Sequence, residues 1–455
     1  MSMPPASAAG HGFEGQLLVP GDDGYDDCRA VWNAMVDRRP RMIARCSSVG
    51  DVVAAVRTAR ELGLQIGVRC GGHSVLGLAV PDDGFMIDLT PMGAVRVDPQ
   101  VGRAWVQGGA LLGALDVAAQ AHGLATTAGN VSHTGVGGLT LGGGMGWLAR
   151  QHGLSCDNVV SFEVVTAAGD VVRASALDNP ELYWGLRGGG GNFGIVTEFE
   201  FRLHETVPQA FVAGVTFPLD QGRDVLRGWR DLNAEAPRRA TFTAFVGSTP
   251  DGGAALTVGY VWVGYPLESR RLLPALRSLG RPVAEEVIEP TYLELQTRED
   301  TPQGHAIRRY WKGHYLQRFD DEVIDAFLLR GSENGTGPLL PNVSLQAYGG
   351  AIADVPDDAT AFSHRRTVFE FVSSSGWSDA GEDAGRIAAG RRCGAGLAPF
   401  ASGAYVNVLT DEGAEGVRRA YPPAKLARLT ALKDVYDPDN VFRLNQNIPP
   451  STMPS

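Results

Sequence analysis

Three glycine clusters hold the residues of this chain best suited to chemistry. They are Cys70-Gly71-Gly72-His73, the run GVGGLTLGGGMG at 135–146 and the run GGGGNFG at 188–194. Bare backbone can approach a ligand closely and turn several N–H groups toward a phosphate. Any one cluster alone reads as a tight turn; three within the first 200 residues point to a ligand. The last contains GxGxxG at Gly189, Gly191 and Gly194. That pattern binds a dinucleotide on a Rossmann fold only when it follows a strand and opens a helix. Here a helix pattern, PELYWGLR, precedes it and a strand pattern, IVTEFEF, follows. The order excludes NAD(P) on a Rossmann fold, and the lack of a GK[ST] triplet excludes a P-loop. His73 comes directly after two glycines, in a polar loop between two apolar runs. A lone histidine is mostly structural, but the glycine pair marks backbone held against something large and planar. The residues by themselves reach this far: a nucleotide-like ligand crosses the 70–73 loop, with His73 near its reactive end.

The elements that carry these loops follow from periodicity. VGDVVAAVRTARELG (49–63) repeats Val52, Val53, Val56, Ala59 and Leu62 on one helical face and stops at Gly63. LQIGVRC (64–70), FMIDL (85–89) and RAWVQGG (103–109) read as strands. ALLGALDVAAQAHG (110–123) and PELYWGLRG (180–188) read as helices, and 159–173 as two strands about a turn at Ala168-Gly169. IVTEFEFRL (195–203) alternates as a strand. Residues 1–205 are thus an α+β unit. From 206 to 400, strands such as ATFTAFVG (240–247), AALTVGYVWVG (254–264) and VSLQAYGGAI (343–352) alternate with helices such as SRRLLPALRSLG (269–280). This predicts an antiparallel sheet covered by helices. Residues 401–455 return to a strand, GAYVNVL (403–409), then a helix, PAKLARLTALKDVY (423–436).

Composition bounds the partners. Glycine supplies 59 of 455 residues, about 13% against a usual ~7%. No G-X-Y period appears, which excludes collagen, and 44% hydrophobic residues argue against disorder. A net charge of -11 argues against nucleic acid and anionic membrane. No apolar run reaches the ~18 residues of a spanning helix. The opening MSMPPASAAGHGFEG lacks the charged-then-apolar order of a signal peptide. Cys28, Cys46, Cys70, Cys156 and Cys393 are scattered, with no CxxC pair. The expectation is a cytoplasmic chain with no metal site and no disulfide framework.

At this point the motifs carry a resemblance. VRCGGHSVLGLAVPDDGFMIDLTPM (68–92) resembles the flavin-attachment segment of the berberine bridge enzyme-like, hydroxynicotine oxidase-like family, in the vanillyl-alcohol oxidase superfamily of FAD proteins. NVSHTGVGGLTLGGGMGWLARQHGLSCDNV (130–159) and NPELYWGLRGGGGNFGIVTEFEFRL (179–203) are similar to its second and third FAD segments. KDVYDPDNVFRLNQNIPP (433–450) is similar to its C-terminal signature. The resemblance implies an α+β, two-subdomain PCMH-type FAD-binding fold built from 1–205 and 401–455. It implies a substrate-binding domain at 206–400 whose sheet roofs the flavin. It also implies an 8α-N1-histidyl bond from His73 to FAD.

Other roles follow by matching. Arg69, Cys70, Gly71, Gly72 and Ser74 would form the pyrophosphate loop, with the Cys70 thiol only packing. Ser132, His133, Thr134, Gly137, Gly138, Gly142 and Gly143 would line the second segment. Thr134 and Leu139 would face the flavin edge where oxygen reacts, with Asp157 and Asn158 behind them. Gly194, Ile195 and Val196 would meet the adenine side, and Asn445 and Asn447 the flavin pyrimidine ring. Many members attach FAD a second time, through a cysteine. Here Val131 holds that position and Cys156 lies beyond the glycine run, so a single link is expected. That places the chain nearer the monocovalent branch, such as hydroxynicotine oxidase and the enterocin-pathway flavin oxygenase.

A flavin oxidase needs a group that takes a substrate proton as hydride leaves. Tyr405 and Asn407 are two apart, as are Gln346 and Tyr348, so each pair shares a face of an expected strand. With Thr134, these are the catalytic candidates, and His314 is an extra one. No carboxylate base stands out in these strands, and a Tyr base would need a depressed pKa. The expected activity is two-electron oxidation of a small organic or secondary-metabolite substrate, with O2 as acceptor and H2O2 released. The alternatives are a monooxygenase or oxidative cyclase on a polyketide-like intermediate, and a non-catalytic flavin-binding protein. The expected partners are substrate and O2, in a monomer or homodimer.

Overall fold

Parallel strands need a crossover, and the helix Val49–Glu61 supplies it in the first lobe. The computed structural model describes residues 11–248, 253–301 and 306–453. Residues 1–10, part of the expected amino-terminal reading, lie outside them. β1 (Gln16–Leu18), β2 (Met42–Arg45), β3 (Ile66–Arg69) and β4 (Phe85–Asp88) form a sheet in the order β1-β2-β4-β3. β2 and β3 run parallel to β4, and β1 antiparallel to β2. The crossover helix starts at a capping box, Ser48 with Asp51. It buries Val52, Ala55, Val56 and Ala59 against Ala44, Phe85 and Ile87.

The second lobe contains β5 (Val95–Asp98), β6 (Arg103–Gln107), β7 (Leu124–Ala125), β8 (Val159–Val165), β9 (Val171–Ser175), β10 (Ile195–Arg202) and β11 (His204–Glu205). Five of these form an antiparallel sheet, β5-β6-β10-β8-β9, and β7 pairs with β11. The lobes meet at Gly109, whose N–H donates to Met92 O at 3.0 Å. A Cβ at Gly109 would overlap the Leu89 carbonyl, so only glycine fits there.

Among the described residues, seven strands lie between Ala210 and Trp377: β12 (Ala210–Pro218), β13 (Ala240–Ser248), β14 (Ala254–Val263), β15 (Ala284–Ile288), β16 (Arg308–Leu316), β17 (Asn342–Ala347) and β18 (Phe369–Trp377). Their order is β15-β12-β14-β13-β17-β18-β16, antiparallel throughout. One face packs Phe211, Val215, Leu345, Phe369 and Phe371 with Trp229, Phe327 and Leu397 of the covering helices. The alternate residues Tyr315 and Val372 join the core of the second lobe instead.

Three expected elements differ. GAYVNVL is no strand; it bends through a 3-10 turn at Val406–Val408. β17 stops at Ala347 because Gly349 and Gly350 turn with φ of +83° and +57°. The helix expected at 269–280 is split into Pro266–Ser269, Arg270–Leu272 and Leu273–Arg277. Pro274 removes a backbone donor there.

The tail locks onto the 188–194 loop. Helix Pro423–Tyr436 ends near Lys433, whose fully buried ammonium donates to Asp437 at 2.6 Å, Asn192 O at 2.8 Å and Phe442 O at 3.0 Å. Asn192 Oδ1 in turn accepts from Ile448 N at 2.9 Å. Lys433→Met strands the Asp437 charge in the core. Urea unfolding should show a loss of about 3–5 kcal/mol; a loss under ~1 kcal/mol would mean that the tail is not held this way.

Candidate active site

β3 delivers the chain to Cys70-Gly71-Gly72-His73. A Cβ at Gly71 would overlap Gly135 N, and one at Gly135 would overlap both Gly71 N and the Cys70 thiol. The two loops therefore touch backbone to backbone. Gly72 has φ +68°, and its carbonyl accepts from Trp32 N at 3.0 Å. The His73 ring stacks on Trp32 with centroids 4.8 Å apart. His73 Nε2 lies 2.6 Å from His133 Nδ1, and Nδ1 lies 3.3 Å from Thr134 Oγ1. Arg69 donates through Nη1 to Cys28 O. Ser74 Oγ accepts from Leu78 N at 3.4 Å, and Ser74 O from Gly77 N at 2.9 Å. The Cys70 thiol, pushed up to about 11 by burial, donates to Ala110 O at 3.4 Å.

The 130–144 loop is braced from two sides. Ser132 donates through N and Oγ to Asp300 at 2.8 and 2.6 Å. Thr301 N donates to His133 Nε2 at 3.2 Å. Gly137 and Gly138 open the short helix Val136–Leu141, and a Cβ at Gly138 or Gly191 would meet open space. Gly142 faces the Asn407 amide so closely that a Cβ would overlap it, and Gly143 has φ +130°. Leu139 O accepts from Asn407 Nδ2 at 3.0 Å. Gly194, with φ +158°, leads into Ile195 and Val196, which pair with Val165 and Val164 of β8.

These loops suit a large ligand with both donors and acceptors. Among the described residues, Arg69 Nε, Asn130 Oδ1, Gln346 Nε2, Asn445 Oδ1 and Asn447 Oδ1 are buried without a hydrogen-bond partner. Such atoms are costly unless something binds them. Asn445 is itself anchored, donating to Gly191 O at 3.3 Å and Phe442 O at 3.0 Å. The donor set and the glycine cradle fit FAD.

A cluster of buried titratable groups sits against the seven-stranded sheet. Glu370 on β18 lies opposite Gln346 of β17 and Tyr315 of β16. It is 7% exposed, and Tyr348 donates to its Oε2 at 2.7 Å. Burial pushes the Glu370 carboxyl up to about 7, against the Tyr348 hydrogen bond. Tyr348 lies 3.4 Å from the Tyr315 hydroxyl, and Tyr315 stacks on Tyr405. Tyr405 accepts from Gly144 N at 2.8 Å and Asn407 Nδ2 at 2.9 Å. Arg150 fixes the Tyr348 turn through Tyr348 O. The cluster joins Tyr405, Asn407 and Tyr348, and Gln346 reaches Asn130 at 3.5 Å.

Three expectations need correction. A carboxylate does lie in these strands: Glu370, overlooked because an acid between Phe369 and Phe371 reads as a solvent-facing residue. The depressed pKa that a Tyr base would need is absent: burial pushes Tyr315, Tyr348 and Tyr405 up. His314 faces the helix side, between Gly394 O at 2.8 Å and Arg419 at 2.6 Å, stacked on Phe371. It is not part of the site. Asp157 is bidentate to Arg365, both contacts at 2.7 Å, and Asn158 holds His152 O, Leu154 O and His204. Both are structural supports.

Comparison with known proteins decides the family. A family model described as an FAD binding domain matches residues 40–175, and one described as berberine and berberine like matches 404–449. The chain is 32% identical to the (R)-6-hydroxynicotine oxidase of Paenarthrobacter nicotinovorans, over 96% of this chain and 97% of that one. The chain belongs to the berberine bridge enzyme-like family of FAD-linked oxidoreductases. The crystal structure of 6-hydroxy-D-nicotine oxidase from Arthrobacter nicotinovorans superposes with a TM-score of 0.87 at 29% identity, covering 96% of this chain and 98% of that one. Glucooligosaccharide oxidase from Acremonium strictum, described with a 6-S-cysteinyl, 8α-N1-histidyl FAD, gives 0.87 at 26%, covering 98% of each chain. The berberine bridge enzyme-like chain is thus an FAD-binding oxidoreductase of mixed α+β fold. No helix among its described residues is long and apolar enough to cross a membrane.

Glu370 sets a stability signature. Its folded pKa of about 7 exceeds the unfolded value of ~4.3. The folded state therefore binds the extra proton, and stability falls as pH rises from ~4.3 through about 7. Asp116, buried against Gln296, shifts the same way. In Glu370→Gln the Glu370 part disappears. Its melting temperature relative to the native chain should climb between pH 5 and 8; a pH-independent difference would place Glu370 in a wetter environment.

Proposed function

We propose that this berberine bridge enzyme-like chain is an oxidase that carries FAD on His73 alone. It would remove two electrons from a small organic or secondary-metabolite substrate, with O2 as acceptor and H2O2 released. The observation that carries this reading is Glu370: a buried carboxylate with a pKa near neutrality, hydrogen-bonded to a tyrosine beside the glycine cradle. A non-catalytic flavin carrier has no use for such a group.

FAD, when bound, supplies the two-electron acceptor. Residues 1–205 and 401–455 would hold it, with Arg69, Gly71, Gly72, Ser74, Gly137, Gly138, Gly142, Gly143, Gly194, Ile195, Val196, Asn445 and Asn447 around it. Residues 206–400 roof the site. Glu370 Oε2 takes the substrate's O–H or N–H proton, directly or through the Tyr348 hydroxyl. Tyr405 already accepts two hydrogen bonds, so its own proton is left to donate to the substrate heteroatom. Asn407 fixes Tyr405, and Gln346 with Asn130 presents amide groups to the substrate.

A single link is supported by the cysteines. Val131 stands where a cysteinyl link would start, and Cys156 is fully buried with its thiol pushed up by burial. A reactive cysteine instead needs an accessible thiolate.

Acid-precipitated native protein should stay yellow, His73→Ala should lose the colour on denaturation, and Cys156→Ala should keep it. Release of all FAD from the native chain would refute the covalent link. In a peroxide assay, native kcat/KM should rise with pH through about 7 as Glu370 ionises. Glu370→Gln should lose about 10²–10⁴-fold in kcat and that pH dependence together. An unchanged profile would remove Glu370 from the chemistry.

A further inference from the structure

Resting on His73 as the attachment point, we propose that His133, oriented by the Thr301 backbone amide, fixes which nitrogen of His73 carries the flavin. A peptide N–H can only donate. The Thr301 N–H points at His133 Nε2 at 3.2 Å, so Nε2 accepts and neutral His133 keeps its proton on Nδ1. That Nδ1–H faces His73 Nε2 at 2.6 Å. His73 Nε2 is therefore the accepting nitrogen, with its lone pair engaged. Nδ1 becomes the nitrogen that carries a substituent: a proton before attachment and the 8α carbon afterwards. Thr134 Oγ1, 3.3 Å away, receives the Nδ1 proton's hydrogen bond beforehand.

Asp300 and Trp32 brace the assembly that enforces this choice. Asp300 holds Ser132 by two hydrogen bonds, one residue before His133. Trp32 stacks on the His73 ring and donates from Nε1 to Thr301 Oγ1 at 3.2 Å. The strap that includes Asp300 and Thr301 connects β15 to β16, so the substrate-side sheet sets the tautomer of the cofactor-side histidine. His133 is a positioning residue in this scheme.

A bond forms between His73 Nδ1 and the 8α carbon. The Nδ1–H bond and one 8α-methyl C–H bond break. Both protons and the C–H electron pair end on the flavin ring, which is left two-electron reduced. Dioxygen then takes that pair with two protons and leaves as H2O2. The His133 hydrogen bond to Nε2 persists throughout, and the alkylated imidazole stays neutral.

The test follows acid-stable flavin after FAD is added to full-length apoprotein, and NMR of the isolated flavin peptide gives the linked nitrogen. The native chain should link through Nδ1. His133→Phe keeps a ring but no donor; it should attach flavin at least about tenfold more slowly, with part of the product through Nε2. His133→Gln keeps an amide donor and should preserve Nδ1 linkage and most of the rate. An Nε2 bond in the native chain, or His133→Phe with native rate and pure Nδ1 linkage, overturns the proposal. Should His133→Phe not fold, loss of Nδ1 selectivity in His133→Gln overturns it as well. If the native chain holds flavin on another residue, the His73 reading itself fails.

Discussion

Two stretches of backbone meet without side chains at Gly71 and Gly135, and the rest of the site depends on that meeting. A methyl group on either residue would fill the space the other occupies. Because they touch, the loop after β3 and the loop before helix Val136–Leu141 lie side by side. His73 then reaches His133 and Thr134. The Gly109 contact with Leu89 repeats the device where the two lobes meet. At these positions glycine is required because backbone passes against backbone.

The chemistry on the other wall is set by desolvation. Glu370, Tyr315, Tyr348 and Tyr405 are all nearly buried, and burial disfavours each charged form. The tyrosines move away from neutrality and the carboxyl moves toward it. The same force therefore disfavours the tyrosines as bases and tunes the carboxyl. In the proposed chemistry Tyr348 and Tyr405 would orient by hydrogen bonds, while Glu370 would hold or release a proton near pH 7.

Local features were legible in the sequence and long-range ones were not. The helices at 49–61 and 423–436 and the strands at 240–248 and 254–263 follow from periodicity, because each is specified by its own residues. The three glycine loops were legible for the same reason. Tyr405 and Asn407 do lie together, but not on a shared strand face: AYVNVL alternates like a strand, yet folds as a 3-10 turn in which Asn407 donates to Tyr405. Glu370 was missed because alternation tells only which residues avoid the helix-covered core. It cannot tell that the opposite face is roofed by another lobe rather than by water. His314 failed by the same alternation, being one residue out of phase with Tyr315. Asp300 and Thr301 meet Ser132 and His133 across 168 residues, and no local pattern encodes that.

The central claim is that side-chain-free contact at Gly71 builds the cofactor cradle. The most direct measurement is the ratio of acid-stable flavin to protein in folded, soluble Gly71→Ala. The steric account predicts a chain with native circular dichroism that retains less than about a tenth of the native flavin, because one methyl group pushes the His73 loop off the 130–138 loop. Full covalent flavin in Gly71→Ala would contradict it.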